Sequence, residues 1–317
     1  MRVLVIGGGI GGMAAAIALE RARFDPRVFE RAPELAEIGA GLGLTSNAMK
    51  AMNHLGAGEF VRTTGVPVDA TQWRSMADGQ PLFEQEHEGL EEHYGEQYVC
   101  LHRADLLDSL VRLVPSERVR LSSRLVDLEE TPDGVTARFE DGHEEHGDLL
   151  VGADGLRSTV RSLLFGEQEA RFTGVACWRA LIPLENMPPG FGNQIVVWFG
   201  SGRHCMTYPV RDDLVAFNGF VPADEVHLEE WGPSGDLAHL RRSFGGAHPD
   251  VLGLIDGITQ VLITPIYFRD PLPVWGTRRV TLLGDAAHPA PSSAGQGAAM
   301  ALEDALMLAA CLGRDEM

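Results

Sequence analysis

The strongest constraint in this chain is the glycine run Gly7-Gly8-Gly9-Ile10-Gly11-Gly12, which separates a short apolar run, residues 2–6, from the Ala/Leu-rich stretch Met13–Arg23. A fully apolar run of that length suits a strand buried on both faces of a parallel sheet, and Met13–Arg23 has helical spacing. Gly7-x-Gly9-x-x-Gly12 at that junction has a physical reading. The first glycine permits a tight turn, the second lets the backbone approach a pyrophosphate, and the third lets helix and strand pack closely. The N-terminus of the following helix offers unpaired N–H groups and partial positive charge to phosphates. Arg27-Val28-Phe29-Glu30 reads as a second strand, and Glu30 at its end can accept hydrogen bonds from an adenosine ribose. Such a βαβ unit is expected to bind a dinucleotide; NAD and FAD remain equally open from these residues alone.

Further along, a loop carrying Gly39, Gly41 and Gly43 leads to a predicted helix near Ser46-Asn47, either of which could cap it. Residues 70–75 alternate as an antiparallel strand does, and the acidic stretch 84–96 reads as an exposed, solvated loop. Arg103–Leu113 is an amphipathic helix with Leu106, Leu107, Leu110 and Leu113 on one face. Residues 119–139 read as strands turned at Pro132-Asp133-Gly134. Asp148–Gly152 is a further buried strand entering Ala153-Asp154-Gly155. The spans 175–184, 194–199, 204–210, 214–221 and 260–268 form a strand-rich region with helical pieces near 236–255. Arg279–Leu283 returns to a buried strand ending at Gly284-Asp285, and Gln296–Leu312 is a closing helix.

Composition narrows the function. With 26 basic and 45 acidic residues the net charge is 26 − 45 = −19, which repels phosphate backbones and anionic lipid, so no nucleic-acid partner is expected. The glycine run splits the only N-terminal apolar stretch that could imitate an export signal. No window reaches the roughly 18 apolar residues of a membrane span. Cys100, Cys177, Cys205 and Cys311 show no pairing framework, so reduced thiols and a cytoplasmic location without membrane association are expected. His143-Glu-Glu-His146 follows a turn at Asp141-Gly142. A spacing of three along a strand points the imidazoles to opposite faces, so no metal site is expected. No Gly-x-Ser-x-Gly elbow supports hydrolysis.

Two later segments separate the nucleotides: Gly-Ala-Asp-Gly-Leu-Arg-Ser-Thr-Val-Arg at 152–161 and Gly-Asp-Ala-Ala-His at 284–288. With the N-terminal fingerprint they resemble the class A FAD-dependent monooxygenases, the family of p-hydroxybenzoate and salicylate hydroxylases, over essentially the whole chain. The resemblance implies an α/β fold: a Rossmann-like FAD-binding domain with a parallel sheet, interrupted by a mostly antiparallel β-sheet substrate domain with helices. The expected division is 1–68, 99–170 and 270–317 for FAD, and 69–98 with 171–269 for substrate.

Carried onto this sequence, the resemblance implies FAD contacts from Gly7, Gly9, Gly12, Glu30 and Arg31. It adds Ala40 and Gly41 against the isoalloxazine, and Arg103 at the ribityl-diphosphate. Asp154 is implied near the dinucleotide and Asp285 at the ribityl chain. The Gly295-Gln296-Gly297 segment would open a helix toward the pyrimidine, where negative charge develops on reduction. The implied reaction uses NADH or NADPH and O₂ to hydroxylate an aromatic, phenolic or polyketide-like small molecule through a flavin C4a-hydroperoxide. His204 and Tyr208, at i and i+4, share one strand face. They resemble a His/Tyr pair over the flavin, with His204 as base or polar anchor and Tyr208 orienting the ring.

Three alternatives stand beside this reading: an FAD-dependent epoxidase or reductase of an isoprenoid, a truncated flavin-binding relative without turnover, and a plain NAD dehydrogenase. Two departures from the family are visible. Ser292 stands where relatives usually carry a proline, and relatives usually run on past the helix expected to end at Leu312, which raises the expectation of a shortened chain. Oligomeric state is left between monomer and homodimer.

Overall fold

The computed structural model describes residues 1–35, 41–187, 191–223, 235–292 and 295–314, the last of these, Arg314, by its backbone alone. Ala40 and Gly39, expected against the flavin, lie outside the described residues.

The N-terminal unit forms as the glycine pattern dictates. Strand Arg2–Ile6 sits in a five-stranded sheet ordered Val280–Leu282, Leu149–Gly152, Arg2–Ile6, Asp25–Phe29, Val119–Arg120. Every pairing in it is parallel. The helix runs Ile10–Arg21, beginning three residues before the expected start because Gly11 and Gly12 join its first turn. It is buried nearly all round, and the C-terminal helix Gly297–Arg314 packs against it in the same core as Ser46–Leu55. Gly7 has φ 109°, and a Cβ on Gly12 would stand 1.9 Å from the Gly7 carbonyl oxygen, so only glycine closes this turn.

A seven-stranded sheet lies against this unit, ordered Leu262–Phe268, Arg171–Pro183, Leu214–Pro222, Arg203–Arg211, Gln194–Gly200, Ala70–Ser75, Pro81–Glu86. All its pairings are antiparallel except that between Gln194–Gly200 and Ala70–Ser75. Its outer face is covered by Leu237–Ser243 and Pro249–Asp256 over a core that includes Trp178, Phe217 and Phe244. Its inner face meets the nucleotide unit through strand Gly41–Leu44, where a Cβ on Gly41 would come within 2.6 Å of Tyr208, Val210 and Ala216.

Several local expectations are corrected. Residues 84–96 are not one exposed loop. Glu84–Glu86 end an edge strand, Leu90–Tyr94 form a short helix, and His87 between them is buried. Thr45, not Ser46 or Asn47, is the N-cap of the second helix, and it makes no side-chain capping bond. His143 stacks on Phe139 at 4.2 Å while His146 Nδ1 lies 3.3 Å from Thr136 Oγ1, so the two rings have separate neighbours. Among the described residues no helix is long and apolar enough to cross a membrane.

Candidate active site

The glycine turn, the 152–161 segment and the 284–297 segment converge on one cavity of about 890 Å³ between the two sheets. Its volume lies at the upper end of the roughly 300–1,000 Å³ usual for ligand sites. At one end it opens over Gly9, Ile10 and Gly11. The Ile10–Arg21 helix starts there with no side-chain cap and no acid in its first turn, and nothing lies within 4 Å of where a Gly9 Cβ would be. Its first N–H groups and the positive end of its dipole therefore face open space, which suits a diphosphate. Arg103, at the first position of helix Arg103–Val111, and Asp285 line the same end. Burial raises the Asp285 pKa, and the charges of Arg103 and His288 oppose that shift. Gly295 (φ 65°) and Gly297 line the same wall beside Asp285, where the last helix begins. The residues present thus fit an extended dinucleotide: uncapped helix N–H groups, a cation and an acceptor carboxylate in one trough.

Among the described residues expected at the cofactor, six do not line the cavity: Gly7 and Gly12, which close the turn, and Glu30, Arg31, Asp154 and Gln296. Glu30 Oε2 accepts from Gly8 N–H at 2.6 Å and Oε1 from Ala32 N–H at 2.8 Å, so its carboxylate holds the glycine turn from behind. Arg31 is exposed and does not line the cavity, nor does Gln296. Asp154 accepts from Ser158 Oγ, Thr159 N–H and Val160 N–H, at 2.5, 2.7 and 3.1 Å. It caps its own helix while its neighbours Ala153 and Gly155 face the cavity.

Sequence reasoning missed the residue that joins the two later motifs. Arg161, only 1% exposed, donates to the carbonyls of Ala286 and Ala287, to Asp270 O and to Gln168 Oε1. Asp304 fixes the other side of the same loop, accepting from Gly284 N–H at 2.9 Å and from His288 Nε2 at 2.6 Å. That carboxylate raises the His288 pKa by favouring the imidazolium.

The far wall is the inner face of the seven-stranded sheet. Tyr208 is 6% exposed and its oxygen accepts from Asn218 Nδ2 at 2.8 Å. Burial pushes the Tyr208 pKa strongly upward, so it stays a protonated phenol with its own hydrogen available to a ligand. His204 shares the face of Tyr208 but does not line the cavity. Its ring stacks on Phe220, its direct partner on the neighbouring strand, at 4.5 Å, and burial lowers its pKa. The expected base therefore stands beside Phe220, which does line the cavity.

A different histidine does reach the wall. The His87 Nδ1 lies 3.0 Å from Val68 O and can only donate there, which leaves Nε2 to accept from the Thr71 hydroxyl at 3.2 Å. Its acidic neighbours hid it in the sequence.

A sheet-bounded cavity whose other wall is a glycine turn and two helix termini defines a flavin-type dinucleotide enzyme. The FAD binding domain family matches residues 1–314. The chain is 36% identical over 316 residues to 6-hydroxynicotinate 3-monooxygenase of Bordetella bronchiseptica, covering 97% of this chain and 81% of that protein. It is 39% identical to 3-hydroxybenzoate 6-hydroxylase 1 of Aquipseudomonas alcaligenes, covering 99% and 81%. The crystal structure of Klebsiella pneumoniae HpxO complexed with FAD and uric acid superposes with a TM-score of 0.90 at 31% identity, over 99% of this chain and 80% of that one. The chain belongs to the class A FAD-dependent monooxygenases; it binds FAD and is an oxidoreductase of that class.

Proposed function

We propose that this protein hydroxylates an electron-rich aromatic small molecule in the cavity between the two sheets, with NADH or NADPH as reductant. The observation that carries this reading is the continuity of the cavity from the uncapped helix at Gly9 to the Tyr208–Asn218 pair. Bound FAD, once reduced, supplies the activation of O₂ and the transfer of one oxygen atom to the ring.

The chain's own residues do the rest. First-turn N–H groups after Gly9 and the Arg103 guanidinium hold the diphosphate, and Asp285 accepts from the ribityl hydroxyls. Glu30, anchored by Gly8 and Ala32, keeps spare lone pairs for the adenosine ribose. The amino end of Gly297–Arg314 places positive potential beside the pyrimidine, stabilising charge that appears on reduction. Asp154, Arg161 and Asp304 are positioning residues that fix the loops these contacts come from.

On the substrate side, Val197, Met206 and Trp73 form an apolar floor that excludes water. Tyr208 donates its phenol hydrogen to a ring oxygen while Asn218 holds its own oxygen, so the ring is oriented without the tyrosine ionising. His204 takes a supporting role through Phe220 in place of that of a base. Similarity to hydroxylases of hydroxybenzoate and hydroxynicotinate supports an aromatic substrate.

The test is NAD(P)H oxidation by the flavin-loaded protein over a panel of phenols, with isotopically labelled O₂ and peroxide counted separately. One labelled oxygen in the product is expected. Reduction of an added isoprenoid without label would establish the reductase reading instead.

A further inference from the structure

The hydrogen-bonding groups of the sheet wall are fixed in direction. Asn218, Met206, Val197 and Trp73 stand in one lateral row across four strands, and all four line the cavity. The next row on the same face is Tyr208, Ile195 and Thr71, because Val196 pairs with Thr207 and Ile195 with Thr71. Its centre is aliphatic and its two ends carry hydroxyls. Neighbouring strands are roughly 4.8 Å apart, so Tyr208 and Thr71 are separated by two spacings, about 10 Å.

The two hydroxyls meet the cavity with opposite sense. The Tyr208 oxygen accepts from Asn218 Nδ2 at 2.8 Å, so its own hydrogen is left for a ligand. At the other end the direction is set by His87, which is buried and lines the cavity. Three contacts hold this residue. Its backbone N–H donates to Asp69 O at 2.8 Å, its Nδ1 donates to Val68 O at 3.0 Å, and its ring stacks on Tyr98 at 5.4 Å and 17°. The Val68 N–H donates in turn to Tyr98 O at 2.9 Å, which closes the group on itself. A neutral imidazole that donates through Nδ1 can only accept through Nε2. The Thr71 hydroxyl, 3.2 Å away, therefore directs its hydrogen to His87, and its oxygen offers only lone pairs to the cavity. Thr71 is 7% exposed, so a ligand that brings an acceptor against it leaves that oxygen desolvated and unpaired.

We infer that Thr71, oriented by His87, is a specificity-determining acceptor. It selects a ring that carries a hydrogen-bond donor, a hydroxyl or an amino group, opposite the ring oxygen held by Tyr208. The ring lies over Ile195 with its two polar atoms at opposite ends. Opposite substituents, with a hydrogen bond of roughly 2.8 Å at each end, reach both hydroxyls, whereas adjacent substituents reach one. His87 touches no reacting atom; it is a positioning residue that fixes the Thr71 rotor. This rests on the hydroxylase reading and adds to it the substitution pattern of the substrate.

The test uses flavin-loaded protein without oxygen and four probes: hydroquinone, its monomethyl ether, its dimethyl ether and catechol. Dissociation constants are read from perturbation of the flavin absorption. Hydroquinone and the monomethyl ether should bind within about three-fold of each other, since one donor satisfies Thr71 and an ether oxygen satisfies Tyr208. The dimethyl ether and catechol should bind roughly ten-fold or more weakly. Thr71→Val should bring the dimethyl ether to within about three-fold of the monomethyl ether with flavin retained, and Thr71→Ser should keep the gap. His87→Phe, which frees the Thr71 hydroxyl to donate, should close the gap as well. Equal binding of all four probes by the unaltered protein would overturn the inference while leaving hydroxylation standing, and needs no variant to be soluble. A gap that survives Thr71→Val would assign it to the bulk of the second methyl group and overturn the acceptor. One that survives His87→Phe would overturn the role of His87, and catechol binding as tightly as hydroquinone would overturn the opposite placement. Failure of every probe to perturb the flavin would remove the hydroxylase reading with it.

Discussion

The two walls of the cavity are made of different material. The nucleotide wall is backbone: glycine turns, helix termini and carbonyls held by buried side chains, with tolerances set by hard contact. The sheet wall is side chains drawn one each from separate strands, with hydrogen bonds of ordinary length and neighbours that can give. The first kind of surface specifies a cofactor shared by many proteins, and the second specifies a substrate. The difference predicts that substitutions on the first wall cost folding and flavin, whereas those on the second cost turnover.

The largest effect is expected at Gly12. A Cβ there meets the Gly7 carbonyl oxygen at 1.9 Å, so Gly12→Ala should destabilise by roughly 3 kcal/mol or more and abolish flavin retention, read by denaturant unfolding and flavin content. Arg161 follows. Arg161→Met leaves the carbonyls of Ala286, Ala287 and Asp270 without their donor and should cost about 2–4 kcal/mol, with flavin affinity falling in parallel. If Arg161→Met unfolds at the same denaturant concentration as the parent, the contrast between the walls is wrong on its backbone side.

Asn218→Leu probes the other wall. It removes the donor to Tyr208 and should lower coupled hydroxylation by roughly 10- to 100-fold, with flavin content unchanged and more peroxide released. Loss of flavin in this variant would break the comparison from the substrate side.

The smallest effect is a pH dependence. The folded-state pKa of His288 is raised, chiefly by its hydrogen bond to Asp304. A raised histidine contributes stability that is fully present below its unfolded value near 6.5 and is lost as pH rises through the folded value. Asp304→Asn should therefore reduce stability by about 1 kcal/mol at pH 6 and by less at pH 9, measured as the shift in unfolding midpoint. A constant difference across that range would show that the pair contributes only through Gly284 N–H.

The same contrast explains what could be read from the sequence. The glycine turn, the strand–helix order of the first unit and the 152–161 and 284–288 segments were legible because each packs its information into a few consecutive residues. Glu30 and Asp154 were identified as belonging to the site region, but that their carboxylates also hold the glycine turn and a helix N-terminus is set by tertiary hydrogen bonds. Arg161 was invisible because three of its four acceptors, the carbonyls of Asp270, Ala286 and Ala287, come from two distant segments. The parity of His204 and Tyr208 along the strand was correct. Which of them reaches the cavity depends on how far Gly41–Leu44 and the nucleotide unit cover the sheet, and periodicity does not carry that. His87 was hidden by acidic neighbours whose side chains point to solvent while its own turns inward to Val68 and Thr71.

The central claim is that one cavity holds the flavin on its nucleotide wall, facing the Asn218–Met206–Val197 floor across the substrate space, and the most direct measurement is a crystal structure of the FAD-loaded protein. The account predicts the diphosphate over the N–H groups after Gly9 and the isoalloxazine between the Gly295–Gly297 segment and that floor. A flavin ring seated elsewhere, or a protein that takes up no FAD on reconstitution, would contradict it.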